Sequence, residues 1–98
     1  MTINKTKDGK ALTLAVEGRL DTITAPDLEK ELQESLDDVK LLTLDFEKLE
    51  YISSAGLRVL LSAQKVMNRQ GAMKVTHVSS AIREIFDVTG FSDILTIA

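Results

Sequence analysis

The chain contains no cysteine and no tryptophan, and it has one proline, one tyrosine and one histidine. Without cysteine, disulfide frameworks and thiolate metal sites are excluded. The same absence fits a reducing compartment. There is no basic tract and no set of aromatics interleaved with Lys or Arg, so nothing points to direct nucleic-acid binding. The apolar runs are far shorter than the ~20 residues a membrane span needs. The opening stretch, "MTINKTKDGK", is polar, and no signal peptide is expected. No H-x-x-x-H pair offers itself to zinc, no G-x-x-x-x-G-K-[ST] loop cradles phosphate, and no G-x-S-x-G elbow presents a serine nucleophile.

What is present describes a small globular domain. The 98 residues suit one domain, 1–98. A chain of that length buries roughly two-thirds of the surface its unfolded form exposes. Hydrophobic residues make up 44% and charged residues 28%, ordinary shares that support a modest core without staples. The net charge is −3. A soluble, cytoplasmic protein without cofactor or metal is expected.

The pattern of elements is legible. "KDGK" at 7–10 is a hairpin signal, with Asp8-Gly9 expected at the turn centre between strands at roughly 2–6 and 11–17. Leu12, Leu14 and Val16 alternate with Ala11, Thr13 and Ala15 at strand period. Gly18 is expected to end that strand. Thr24 is predicted to cap a first helix, with Pro26 in its first turn and Asp27 as a capping-box acid. Leu28, Leu32 and Leu36 form its inward stripe. Its outer face is acidic, since residues 27–38 hold six acids and one base. "LLTLDF" at 41–46 is predicted to be a central strand buried on both faces, and "EKLEYI" a loop.

A second helix is expected over 54–69. Leu57, Val59, Leu60, Leu61, Ala63, Val66 and Met67 supply a wide apolar stripe, and Arg58, Ser62, Lys65 and Arg69 an exposed polar one. Gly71 stands where a C-terminal cap belongs. "AMKVTHV" is predicted to be a strand with His77 on the face of Met73 and Val75, a structural histidine. A third helix starts near Ser79 or Ser80, buries Ile82, Ile85 and Phe86, and stops at Gly90. "ILTIA" adds a last short strand. The order is β-β-α-β-α-β-α-(β), an α/β fold with a mixed sheet of four to five strands, an N-terminal hairpin and three helices. In such sheets, sites gather beyond the carboxyl ends of the strands. The end of strand 41–46 and the start of helix 54–69 meet at such a place.

"SSAGLRVLL" at 53–61 starts the second helix. Serine is a strong N-cap, and that alone accounts for Ser53 or Ser54. Gly56 serves close packing or a bend. A catalytic serine would need a base and an orienter beside it, and the sequence offers neither. A hydroxyl that receives phosphate from another protein is the alternative. Phosphate adds about 1.5 to 2 negative charges, which a helix N-terminus accommodates and a partner surface packed on it does not.

The stretch "LTLDFEKLEYISSAGLRVLLSAQKVM" resembles the phosphorylatable core of bacterial anti-sigma factor antagonists, members of the STAS domain family. "VEGRLDTITAPDLEKEL" resembles the family's second strand, loop and first helix, and "VTGFSDILTI" its C-terminal ending. The resemblance covers essentially the whole chain. The family pattern, aromatic-Ile-Asp-Ser-Ser-Gly-Leu, laid on Tyr51–Leu57 places the phosphorylated serine at Ser54, with Ser53 the alternative. The chain departs at Ser53, where the family has Asp, and at Ala55, where it has a second serine. Asp21 matches the acid of the family's G-x-(hydrophobic)-D loop, and Asp45 the acid ending its third strand. In the family these loops lie close to the phosphorylated serine.

What the resemblance implies is partner switching without catalysis. The unphosphorylated protein, a free monomer, binds an anti-sigma factor that is also a serine kinase of the histidine-kinase-like ATPase fold. The sigma factor is released. Phosphorylation at Ser54 ends the complex, and a PP2C-type phosphatase resets it. The partner-binding set implied is Asp21, Thr22, Thr24, Asp45, Ser53, Ala55, Gly56, Arg58 and Ser62. A STAS interaction subunit of a transport or stressosome-like assembly, with no serine phosphorylation, is the alternative. Nucleotide binding near Asp21 and Asp45 is a third possibility, without a phosphate-cradling glycine loop behind it.

Overall fold

The computed structural model describes residues 1–98. Strands β1 (Thr2–Asp8) and β2 (Ala11–Leu20) form the antiparallel hairpin, with Asp8 opposite Ala11. The turn is centred on Gly9-Lys10, one residue later than expected. Gly9 has φ +61 while Lys10 is not left-handed. Only the first central residue needs positive φ, as in a II′ turn, so glycine belongs there.

Gly18 does not end β2. It sits at φ +93, and the pairing register shifts between Gly18 and Arg19. The glycine stands at an irregularity in the pairing, where the strand passes from one neighbour to another. Before it, Ala11–Ala15 pairs in parallel with β3 (Leu41–Asp45). After it, Gly18–Leu20 pairs with β4 (Leu49–Ile52), a strand that takes the place of the expected loop. Four residues with buried Leu49 and Ile52 around exposed Glu50 and Tyr51 carry no period-2 signal.

The helices are α1 (Ala25–Ser35), α2 (Ser54–Gln70) and α3 (Ser80–Thr89), and β5 (Ala72–Thr76) lies between the last two in sequence. The sheet order is β1-β2-β3-β5, with β4 on the end of β2. Each parallel crossover steps the same way along the sheet, so the right-handed rule puts α1 and α2 on one face. The core agrees. Leu12, Leu14, Leu42, Leu44, Met73 and Val75 of the sheet join Leu28, Leu60, Met67, Ile82 and Phe86 of the helices in one buried cluster. The alternate residues Ala11, Thr13, Ala15, Thr43 and Lys74 are only half-buried. β3 is thus central but covered on one face, which corrects the expectation of burial on both.

Other expectations shift at element ends. α2 ends at Gly71, whose φ of 178 is plain extended backbone. A Cβ there would stand 2.0 Å from Lys40 O, so the glycine permits a close backbone approach. Gln70 clamps the same corner, its Nε2 donating to Leu36 O and Val39 O, each at 2.7 Å. Val66 is 37% exposed and lies outside the core. β5 stops at Thr76, and His77 follows at φ +56 with its side chain exposed, not packed with Met73 and Val75. The expected last strand is a single bridge between Ile97 and Val75. α3 starts and stops as expected, with Ser79 Oγ accepting from Ile82 N at 3.2 Å and Gly90 left-handed at its end. No helix is long and apolar enough to cross a membrane.

Candidate functional site

The two adjacent serines have different positions. Ser53 is the N-cap of α2, with extended backbone, and its Oγ accepts from Gly56 N at 3.4 Å. Its own N–H donates to Leu20 O at 2.9 Å, which pins the cap to the end of β2. Ser54 is the first helical residue and is exposed. Gly56 is buried beneath them, and a Cβ there would meet Leu20 Cγ at 2.8 Å and Ile52 Cγ1 at 2.9 Å. It lets α2 start against β2 and β4, and it offers no surface to a partner. No acid stands in the first turn of α2, so the positive end of its dipole is uncompensated there.

The loop between β2 and α1 is built around Asp21. Its Oδ1 accepts from Ile23 N at 3.0 Å and Thr24 N at 3.1 Å. Thr24 Oγ1 accepts from Asp21 N at 2.9 Å and lies 2.8 Å from Arg19 O, to which it donates. Thr24 precedes α1 but makes no side-chain cap, because its hydroxyl is turned to Asp21 and Arg19. That corrects the capping-box expectation. The Thr24 N–H, chiefly, holds the Asp21 carboxyl below the ordinary carboxylate range against partial desolvation, with help from the Thr24 hydroxyl, the Ile23 N–H and Arg19.

Arg19 ties this loop to β4. Its guanidinium lies 4.3 Å from the centroid of the Tyr51 ring and 3.8 Å from Asp21 Oδ2. Sequence reasoning missed Arg19 and Tyr51 because their meeting depends on the register shift between Gly18 and Arg19. It also missed Ile23, which is 85% exposed on the loop tip. An isoleucine between two threonines in "DTITAP" was the available signal.

An open depression of about 340 Å³ runs between the loop, the start of α1 and the first turns of α2. Thr22, Ala55, Arg58 and Ser62 line it, together with Pro26 and Glu29. The structure thus gathers Thr22, Ala55, Arg58 and Ser62 around one hollow. Asp45 is not among them. Its Oδ1 accepts from Glu47 N at 3.0 Å and lies 3.0 Å from His77 Nδ1, at the carboxyl ends of β3 and β5. Leu42 and Leu44 point to the helices, so Asp45 points to the other face of the sheet.

A family model of the STAS domain matches residues 2–98. The chain belongs to the STAS domain family. It is 36% identical over 89 residues to a putative anti-sigma factor antagonist, BtrV, of Bordetella bronchiseptica, covering 89% of this chain and 77% of that one. It is similar in structure to an anti-sigma factor antagonist from Mycobacterium paratuberculosis, with TM-score 0.88 and 23% identity over 98% of this chain and 83% of that one. The phosphorylated form of the Bacillus cell fate determinant SpoIIAA superposes with TM-score 0.77 at 16% identity, covering 99% and 91% of the two chains. The mixed sheet of five strands with three helices is the STAS fold these neighbours share. The named relatives are regulatory proteins.

Proposed function

We propose that this STAS domain is an anti-sigma factor antagonist switched by phosphorylation of Ser54. The observation that carries the proposal is the division of labour between the serines. Ser53 holds the helix start through its cap, and Ser54 stands exposed beside it with no part in that cap. A kinase can reach the Ser54 hydroxyl without unfolding the helix. The partner is an anti-sigma factor with serine-kinase activity, which the unphosphorylated domain binds so that a sigma factor is released. A PP2C-type phosphatase restores the hydroxyl.

The docking face is the Asp21–Thr24 loop with the outer side of α2's first turns. Ile23 supplies an apolar contact, and Arg58 and Ser62 a polar one. Ser54 lies at the edge of that face. Phosphate on Ser54 gains from the open N-terminus of α2. The same dianion must lose its hydration if a partner packs over it, and the complex is lost. The domain itself does no chemistry on this account, since no imidazole or second base lies beside either serine.

The test pairs wild type with Ser54→Ala and Ser54→Asp against the cognate anti-sigma factor and ATP. Wild type takes up one phosphate and then dissociates. Ser54→Ala binds and stays bound, and Ser54→Asp fails to bind while remaining folded. Phosphate on Ser53 in place of Ser54, or equal binding by all three proteins, rejects the proposal.

A further inference from the structure

On the sheet face away from α2, the ends of β3 and β5 assemble a second group of side chains. We propose that Asp45, Glu47 and His77 bind a divalent transition-metal ion of the zinc class. One ligand atom from each of the three lies within 4.8 Å of the other two. Asp45 Oδ1 and His77 Nδ1 are already 3.0 Å apart. In a tetrahedral zinc site with bonds of about 2.0–2.2 Å, neighbouring ligand atoms stand roughly 3.4 Å apart. The Asp45–His77 pair need only open slightly, with the ion taking the place of the shared proton. Glu47 is exposed, and its side chain can swing to close the third position.

The backbone brings these residues together in a fixed way. β3 and β5 are adjacent parallel strands with Asp45 opposite Thr76, and Phe46 N donates to Thr76 O at 3.0 Å just beyond. His77 then leaves the strand with a left-handed backbone and its ring against Asp45. One imidazole nitrogen and two carboxylate oxygens form a mixed set. Imidazole selects zinc and its neighbours over magnesium and calcium, which prefer oxygen alone. Two carboxylates also match a divalent charge. Lys48 lines the same depression as Asp45 and Glu47 and is the competing cation. The proposal does not depend on Ser54 or on any sigma-factor pathway.

The test uses the full chain without an affinity tag. Zinc is titrated by calorimetry, and the imidazole nitrogens are followed by NMR. His77 is the chain's only histidine, so its ring signals need no assignment. One zinc per chain and a large shift of the His77 Nδ1 resonance are expected, with no response to magnesium. His77→Asn removes the imidazole yet suits a left-handed backbone, and it should weaken binding by about tenfold or more. Asp45→Asn should do the same. An unmoved imidazole resonance, no zinc heat, or unchanged affinity in His77→Asn overturns the proposal.

Discussion

Replacing Ser53 and Ser54 one at a time by alanine separates a structural hydroxyl from a regulatory one. Ser53 Oγ accepts from Gly56 N at 3.4 Å, longer than the usual N–H···O distance of about 3.0 Å. Its cap therefore belongs in the lower part of the usual range, about 0.5–1 kcal/mol. Gly56 is buried, so no water readily replaces the lost acceptor. Ser54 is exposed at the first helical position, where alanine should change stability by less than about 0.5 kcal/mol. For a domain of this size each kcal/mol moves the melting temperature by roughly 4–8 °C. Ser53→Ala should then melt about 2–8 °C lower than wild type, and Ser54→Ala should shift by less than about 2–4 °C. Ser54→Asp places a charge at the positive end of α2 and should gain about 0.3–1 kcal/mol. Calorimetry and urea titration measure all three. With the cognate kinase, Ser53→Ala should still take up phosphate and Ser54→Ala should not. If Ser54→Ala is as destabilising as Ser53→Ala, or if Ser54→Asp unfolds, then Ser54 is part of the helix start and the switch has no physical basis.

Gly71→Ala should be among the most damaging single substitutions, because its Cβ would stand 2.0 Å from the Lys40 carbonyl oxygen and backbone would have to move. A loss of about 2–3 kcal/mol is expected in urea unfolding, and a loss below 1 kcal/mol would show that this corner yields easily. Asp21 and Asp87 both have lowered pKa values, Asp21 mainly through the Thr24 N–H and Asp87 mainly through Ser92. A lowered folded-state pKa adds stability above the unfolded value near pH 4 and loses it as pH falls through the folded value. Wild type should therefore lose stability below about pH 4 more steeply than an Asp21→Asn/Asp87→Asn double variant, and identical pH profiles would contradict the assignment. Ile23→Ser should leave stability within about 0.5 kcal/mol while weakening anti-sigma factor binding by about tenfold. Unchanged affinity would remove Ile23 from the docking face.

The fold was legible where one period dominates and illegible where pairing depends on a distant residue. The leucine alternation of β2 and the four-residue leucine spacing of α1 each bury one face, and both appear as expected. β4 escaped notice because it is four residues long and its pairing with Gly18–Leu20 depends on a register shift against a strand some thirty residues earlier. The same register shift brings Arg19 over Tyr51, so that contact was hidden with it. His77 looked like a core residue because it continues the alternation of Met73 and Val75. The strand ends one residue sooner, and the partner that draws its ring outward is 32 residues away. At the candidate site, the helix start at Ser53 and Ser54 was readable from cap chemistry alone. The separate placement of Asp45 was not, since strand register decides which face its carboxylate joins.

The layout around α2 keeps the start of the helix independent of the hydroxyl proposed to switch. Gly56 fits under Leu20 and Ile52, and the Ser53 N–H is held by Leu20 O. Those contacts lie inside the fold and do not involve the Ser54 side chain. A dianion on Ser54 would therefore meet an anchored helix end whose dipole favours it, with Arg58 one turn along. The Asp21 carboxylate is already engaged by the Ile23 and Thr24 N–H groups, so the loop has little reason to rearrange. The free domain should thus keep nearly the same structure with phosphate and be no less stable for it. Only the complex bears the cost, because only there must the charge shed its water against a partner surface. A switch of this kind needs no conformational change to work. It needs a hydroxyl that the fold leaves unused, and Ser54 takes no part in the helix cap where Ser53 does.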